Sequence, residues 1–363
     1  GSTGKPITAM KQSDLRKISV RFWACSAALL LSVSLLLGAR EVIRMLRPVC
    51  PGVHYPSDPA ALRSAVEQYL NEATVESRMG HLSALVVPCS VYPLSGKIAA
   101  YGYNLVKPGG YDRVIVLTPS HYAEFQGCSI AAVQFHKTSL GEVPVDGVAV
   151  RQIGFCPLFD IRSVIYREDL YRMRERTAIH ELEHGIEVQL PFLQVRLGEF
   201  RLVPVVVGLF ADRNGEVDTN AVDTVAKNLQ KIMNERTLLV VSTNLTLYGA
   251  DYGFEPFRDD VVRQINRLDM ELIDTILDRD PQGLVDYVKQ TGNRFVGINP
   301  LLVLLRTLPE SARGTVLAYD TTARVSHDLR ASVSFATLAF FDPEPKTEPP
   351  SSSEPDAIPP ANE

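Results

Sequence analysis

The 363-residue chain is 45% hydrophobic and 22% charged, enough apolar material for a sizeable core in one large or two ordinary domains. Its net charge of -5 supplies no overall basic field, so nucleic acid is not an expected partner. Cys25, Cys50, Cys89, Cys128 and Cys156 are too few and too scattered for a disulfide scaffold and form no CxxC pair, which removes the zinc-ribbon class.

Met10 reads as a native start, and residues 1–9 are set aside within an N-terminal segment of residues 1–21. No charged residue occurs from Phe22 to Ala39, a leucine-rich run long enough to cross a hydrocarbon core as a helix. The run is long for the apolar region of a signal peptide, and Gly38-Ala39-Arg40-Glu41 is not a clean cleavage site, so a transmembrane anchor over residues 22–39 is expected. Lys11, Arg16, Lys17 and Arg21 outnumber Arg40, Arg44 and Arg47, which favours an extracytoplasmic domain on a single-pass membrane protein. Residues 40–50 are expected as a linker, residues 51–341 as the domain, and the Pro-, Ser- and Glu-rich residues 342–363 as a disordered tail.

Within the domain, Ser57-Asp58-Pro59 followed by Leu62, Val66 and Leu70 predicts a capped amphipathic helix. The apolar runs 81–89 and 112–120, with a helical stretch 97–106 between them, predict a βαβ unit. The pattern repeats as strand 201–208, helix 220–234 and strand 237–244. Such continuous apolar strands imply a mostly parallel sheet covered on both faces. A helix over 258–277 and two alternating strands near 314–325 and 331–341 complete a single three-layer α/β domain.

In open parallel sheets the site lies beyond the carboxyl ends of the strands, and those ends carry distinctive segments. They are Gly52-Val53-His54-Tyr55-Pro56, Pro88-Cys89-Ser90-Val91-Tyr92-Pro93, Thr118-Pro119-Ser120-His121, and Glu183-His184-Gly185-Ile186-Glu187-Val188-Gln189-Leu190-Pro191-Phe192-Leu193. Ser242-Thr243-Asn244-Leu245-Thr246-Leu247-Tyr248-Gly249 and Val296-Gly297-Ile298-Asn299-Pro300 follow in order. From about Gly52 to Phe341 the chain resembles the Memo family, also called AmmeMemoRadiSam system protein B. That family is similar in fold to the class III extradiol dioxygenases, and its pocket is associated with iron or copper held by histidines beside a cysteine.

Carried over position by position, the resemblance implies a degenerate pocket. The histidine of the family's P-H-A-G segment falls on Cys89, and that of P-S-H is kept as His121. The S-D-x-x-H pair becomes Asn244 and Leu247, and the late cysteine becomes Val296. A non-haem iron site wants about two histidines and a carboxylate, so iron is not expected, and any residual affinity is for a softer ion such as copper or zinc held by Cys89 and His121. Cys89 reads either as a thiolate ligand or nucleophile paired with His121 or as a small buried thiol, and the second is preferred. For His121 a hydrogen-bonded pocket histidine is preferred over a ligand.

His184 and Glu187 stand three apart on a predicted helix, a spacing that can chelate, but a structural use is preferred. His180-Glu181-Leu182-Glu183-His184 satisfies H-E-x-x-H literally, yet no third zinc ligand follows in pattern. Asn244-Leu245-Thr246 is a formal glycosylation sequon that the resemblance places in the pocket wall. The expected role is a membrane-tethered protein that binds an unidentified protein or small molecule without redox chemistry. The alternatives are a metal-dependent oxidoreductase rebuilt from Cys89, His121 and possibly His184, and a thiol enzyme built on Cys89 and His121.

Overall fold

The computed structural model describes residues 43–76, 80–161, 165–166 and 177–343. The fold belongs to a compact unit that begins at Arg44. Helix α1 (Pro59–Glu72) starts as the sequence requires, because the Asp58 carboxylate accepts the Ala61 amide at 2.8 Å while Pro59 fills the first turn. Its Leu62, Val66 and Leu70 are buried. Strand β1 (His81–Val87) leads into α2 (Tyr92–Tyr103) and β2 (Arg113–Pro119), the expected βαβ unit.

Next come the short strand β3 (Cys128–Ser129), an antiparallel pair over Phe135–Thr138 and Gly141–Pro144 outside the main sheet, helix α3 (Gly147–Ile153) and strand β4 (Phe159–Asp160). Helix α4 (Leu190–Leu197), β5 (Arg201–Val207), α5 (Thr219–Gln230) and β6 (Thr237–Ser242) give the second repeat of the pattern. Beyond it lie β7 (Leu247–Gly249), α6 (Val261–Leu277), α7 (Pro281–Thr291), α8 (Ile298–Thr307), β8 (Arg313–Thr321), α9 (Thr322–Ser326) and β9 (Ala331–Asp342).

The main sheet has the order β7-β9-β1-β6-β2-β5-β3-β4, with β8 also paired to β9. Strands β1, β6, β2 and β5 run parallel, while β9, β8, β7 and β3 join antiparallel. The centre is thus parallel throughout and the flanks are mixed, with β3 antiparallel to β5 but parallel to β4. Ala84, Leu239, Ile115 and Val203 form one row across the four central strands. All four pack with α5, α6, α7 and α8. The adjacent row places Leu85, Val240 and Val116 on the other face, where α1, α2 and α4 cover them. Strand periodicity of two sends successive residues to opposite faces, so the unbroken apolar runs are those of a sheet buried on both sides. Truncating Leu239 to Ala in such a row costs about 2–5 kcal/mol.

The expected fold class requires one correction. Among the described residues no helix is long and apolar enough to cross a membrane, and the span expected at 22–39 lies outside them. The fold is therefore a mixed α/β domain with no transmembrane helix among its elements. The tail expected over 342–363 also lies outside the described residues from 344 onward. The domain takes in part of the expected linker, since Met45–Leu46 pairs in parallel with Phe135 and His136. Helices α7 and α8 were not expected from the sequence.

Candidate metal centre

Strand order fixes which loops meet. The neighbours β1, β6 and β2 end at Val87, Ser242 and Pro119, so Pro88-Cys89, Thr243-Asn244 and Ser120-His121 leave the sheet side by side at its carboxyl edge. Asn244, leaving the middle strand, clamps the first of these loops. Its Oδ1 accepts the Cys89 amide at 3.0 Å and its Nδ2 donates to the Cys89 carbonyl at 3.3 Å. Gln189 braces the same edge from below, donating to the Pro88 carbonyl at 3.0 Å and to Ser242 Oγ at 2.6 Å.

Cys89 Sγ lies 3.7 Å from Nε2 of His121. On the far side of that ring, Nδ1 is 2.8 Å from Oε1 of Glu183, a carboxylate that is almost wholly buried. Glu183 also accepts the His121 amide through Oε2 at 3.0 Å and the Gly185 amide through Oε1 at 2.9 Å. Burial opposes charge on His121, but Cys89 and the Glu183 carboxylate outweigh it and push its pKa up to about 10. Burial likewise opposes ionisation of Glu183, and the His121 hydrogen bond and charge hold its carboxyl below the usual range.

His184 completes the group. Its ring centre stands 4.5 Å from that of His121, its Nδ1 is 3.3 Å from the Tyr122 hydroxyl, and it packs against His54. Burial, reinforced by the His121 charge, holds its pKa down to about 4, so the ring is neutral and its lone pair is available near pH 7. One ligand atom each from Cys89, His121 and His184 lies within 4.8 Å of the other two.

The donor set suits a soft or borderline ion. A thiolate and two imidazoles match copper and zinc, whereas iron of the non-haem type wants a carboxylate among its ligands with other positions left open. The Glu183 carboxylate is committed to His121 Nδ1 and two amides, with His184 Nδ1 3.6 Å from its Oε1. A carboxylate behind a histidine is the usual outer support of a metal-bound imidazole, fixing its tautomer and aim.

The site residues expected from sequence thus divide. Cys89, His121, His184 and Asn244 come together. Glu187 does not, because the segment after His184 first forms a 3-10 turn (Glu187–Gln189) and α4 begins only at Leu190. His184 and Glu187 therefore share no helical face. Glu187 instead accepts the amides of Val49 at 2.7 Å and Cys50 at 3.1 Å and the Tyr55 hydroxyl. Leu247 opens the edge strand β7 opposite Val333, and Val296 is 39% exposed beside Gly297, whose Cα packs tightly on Thr243. Glu183, given no role of its own in the sequence reading, is the carboxylate behind His121. Its place directly before His184 was the only signal for that.

The family model described as Memo-like protein matches residues 47–339. The Protein memo-1 homolog of Caenorhabditis elegans is 27% identical, across 80% of this chain and 81% of its own length. A MEMO1 family protein of Thermococcus kodakarensis is 27% identical over 81% of this chain and 98% of its own. Protein MEMO1 of Homo sapiens is 24% identical over 80% and 95%. Among solved structures, an uncharacterized protein from Escherichia coli K12 aligns with 72% of this chain and 99% of its own, at 14% identity and a TM-score of 0.43. With the family model spanning nearly the whole described domain, the chain belongs to the Memo family.

Proposed function

We propose that this protein uses the Memo fold to hold one soft or borderline metal ion, Cu(I) or Zn(II), through Cys89, His121 and His184. The role is one of metal binding, without iron-dependent oxygen chemistry. The observation that carries this reading is the convergence of one thiol and two imidazoles within 4.8 Å of one another, with Glu183 already bonded to the far nitrogen of His121. When bound, an ion of this kind supplies Lewis acidity or, for copper, one-electron exchange. His121 would release its Nε2 proton on taking up an ion, while Glu183 keeps the one on Nδ1. Asn244 fixes the main chain of Cys89, and the largely buried thiol keeps bulk water from the sulfur.

Elemental analysis of protein purified without chelators tests the reading. Copper or zinc should approach one per chain, and Cys89→Ser should lower it severalfold. Near-unit iron in the wild-type protein would instead favour an oxidoreductase centre.

A second reading rests on a separate observation. Cys89, His121 and Glu183 stand in the order thiol, imidazole, carboxylate, with Sγ to Nε2 at 3.7 Å and Nδ1 to Oε1 at 2.8 Å. That is the arrangement by which a base activates a nucleophile. Alkylation of metal-free protein with iodoacetamide near neutral pH separates the two. Fast labelling of Cys89 that His121→Ala abolishes supports thiol chemistry, while slow labelling, further suppressed by zinc, supports the metal reading.

A further inference from the structure

At the opposite, amino end of the sheet lies a cleft that the metal centre does not use. Strands β2 and β5 pair in register from their first residues, so Arg113 and Arg201 stand side by side, and the turn before β6 brings Arg236 to the same edge. Helix α3 forms the other wall. Its start is tied to β5, because the Asp146 amide donates to the Leu202 carbonyl at 2.8 Å. The space between them has a volume of about 630 Å³ and is lined chiefly by Arg113, Arg151, Arg201, Arg236, Asp112 and Asp146, a size usual for a small-molecule site. Strand β2 has seven residues, so about 20 Å separates this cleft from the metal centre.

Two of the four arginines are committed. Arg113 donates to Asp146 through Nε at 2.8 Å, with Nη2 2.7 Å from the same carboxylate, and also donates to the Ile232 carbonyl. Arg236 forks onto both oxygens of Asp112 and donates to the Gly109 carbonyl at 3.0 Å. Arg151 and Arg201 are different, since among the described residues neither side chain makes a hydrogen bond or an ion pair. Both are nevertheless placed at the cleft. A Cβ built on Gly147 would stand 3.4 Å from Nη1 of Arg151, so that guanidinium lies over the start of α3. Burial opposes the charge of Asp146, and the Ala149 amide, Arg113 and the nearby charge of Arg201 hold its pKa below the usual carboxylate range. Arg201 also borders a second hollow, with Glu142 and Glu199, and pairs with neither.

Four arginines against two aspartates leave two positive charges in excess along the cleft. A free guanidinium presents a planar fork of N–H donors that matches the oxygens of a carboxylate or a phosphate. A carboxylate brings one charge and two oxygens to two such forks, whereas a phosphate monoester brings about two charges and three oxygens. Val148, 66% exposed on the α3 wall, offers apolar surface to the body of such a molecule. We infer that this cleft binds a small phosphate monoester, with Arg151 and Arg201 on the phosphate and the paired Arg113 and Arg236 framing it. Both aspartates are held by arginine, which leaves neither free as a nucleophile or base, so the site is one of binding and not of turnover. It stands independently of the metal reading above.

Calorimetric titration of the full chain with AMP, inorganic phosphate and adenosine tests the inference. It compares wild type with Arg151→Gln, Arg201→Gln and the double variant. Arg267→Gln, which removes an exposed charge on α6, and Cys89→Ser serve as controls. AMP and inorganic phosphate should each bind once per chain, and adenosine should not bind. Each single variant should weaken AMP by about 10–100-fold, the worth of a charge-assisted hydrogen bond, and the double variant should bind none. Their unfolding midpoints should match wild type, because neither side chain bonds to any other part of the described fold. Arg267→Gln and Cys89→Ser should bind AMP as wild type does. Failure of wild-type protein to bind either phosphate-bearing probe would overturn the inference, as would equal binding of adenosine or binding retained by the double variant. Loss of AMP binding in Cys89→Ser would place the anion at the metal centre instead, and an equal loss in Arg267→Gln would reduce the effect to overall charge.

Discussion

Glu183 grips His121 twice, its Oε1 lying 2.8 Å from the ring Nδ1 and its Oε2 accepting the main-chain amide of the same residue at 3.0 Å. The histidine can neither swing nor give up its Nδ1 proton without breaking a bond to a buried charge. Glu183→Gln keeps the shape and removes the charge, so zinc affinity should fall by about 10–100-fold. Glu183→Ala leaves His121 and two amides without their acceptor and should cost about 3–5 kcal/mol of stability. Competition with a chromophoric chelator and denaturant unfolding report these two effects separately. Unchanged zinc affinity in Glu183→Gln would show that the carboxylate plays no part in the centre.

Gly185 should tolerate no side chain. A Cβ built there would sit 1.9 Å from Oγ1 of Thr118 and 3.2 Å from Oε1 of Glu183, and the Gly185 carbonyl already accepts a hydrogen bond from Ser242 Oγ at 2.6 Å. The backbone cannot retreat, so Gly185→Ala must push the loop off the end of β2 and carry His184 with it. The expected cost is about 1–3 kcal/mol, as for other overpacked sites, together with loss of metal uptake. A variant that unfolds at the wild-type midpoint and still binds zinc would show that the loop is softer than this packing implies.

The central strands were legible because a sheet covered on both faces demands unbroken apolar runs, as in Leu238-Leu239-Val240-Val241. Helix α1 was legible from Asp58-Pro59, and Asp280-Pro281 carries the same signal at the start of α7, so that helix could have been found. The site was legible where a residue lies just past a strand end, as Cys89 and His121 do. Between Glu183 and Leu190 there is no capping residue to mark the helix start. The periodic reading therefore put His184 and Glu187 on one face, whereas the chain first makes a 3-10 turn that separates them. His54 stacks on His184 from a turn far away in sequence, which periodicity does not report.

Acid should weaken the domain through a histidine outside the centre. His136 is buried and its Nε2 has no hydrogen-bond partner among the described residues. Burial, with the nearby His180 adding to it, holds its pKa down to about 3 from an ordinary 6.5. His180 is also buried and held down to about 4. As pH falls below 6.5 the unfolded chain takes up the proton and the folded chain does not, so stability is full above 6.5 and declines from there toward 3. By pH 4 the loss from His136 alone is on the order of 3 kcal/mol. Denaturant midpoints at pH 7 and pH 4 measure it, and a flat profile would contradict a neutral, buried His136.

The resemblance to the Memo pocket suggests that Asn244→Asp would restore a metal-binding carboxylate, and the structure predicts the reverse. Asn244 is committed through both ends of its amide, accepting from the Cys89 amide and donating to the Cys89 carbonyl. Aspartate can still accept from the amide, but it sets a second oxygen against the carbonyl, where no proton is available at neutral pH. Repulsion and an unmade bond should cost about 1–3 kcal/mol, and the loop should shift Cys89 away from Nε2 of His121. Zinc affinity should therefore fall in Asn244→Asp, and Asn244→Ala, which removes the clamp without adding charge, should lose less. Calorimetric titration of zinc into the three proteins decides between the two expectations, and tighter binding by Asn244→Asp would mean that the side chain turns to the ion and abandons the Cys89 main chain.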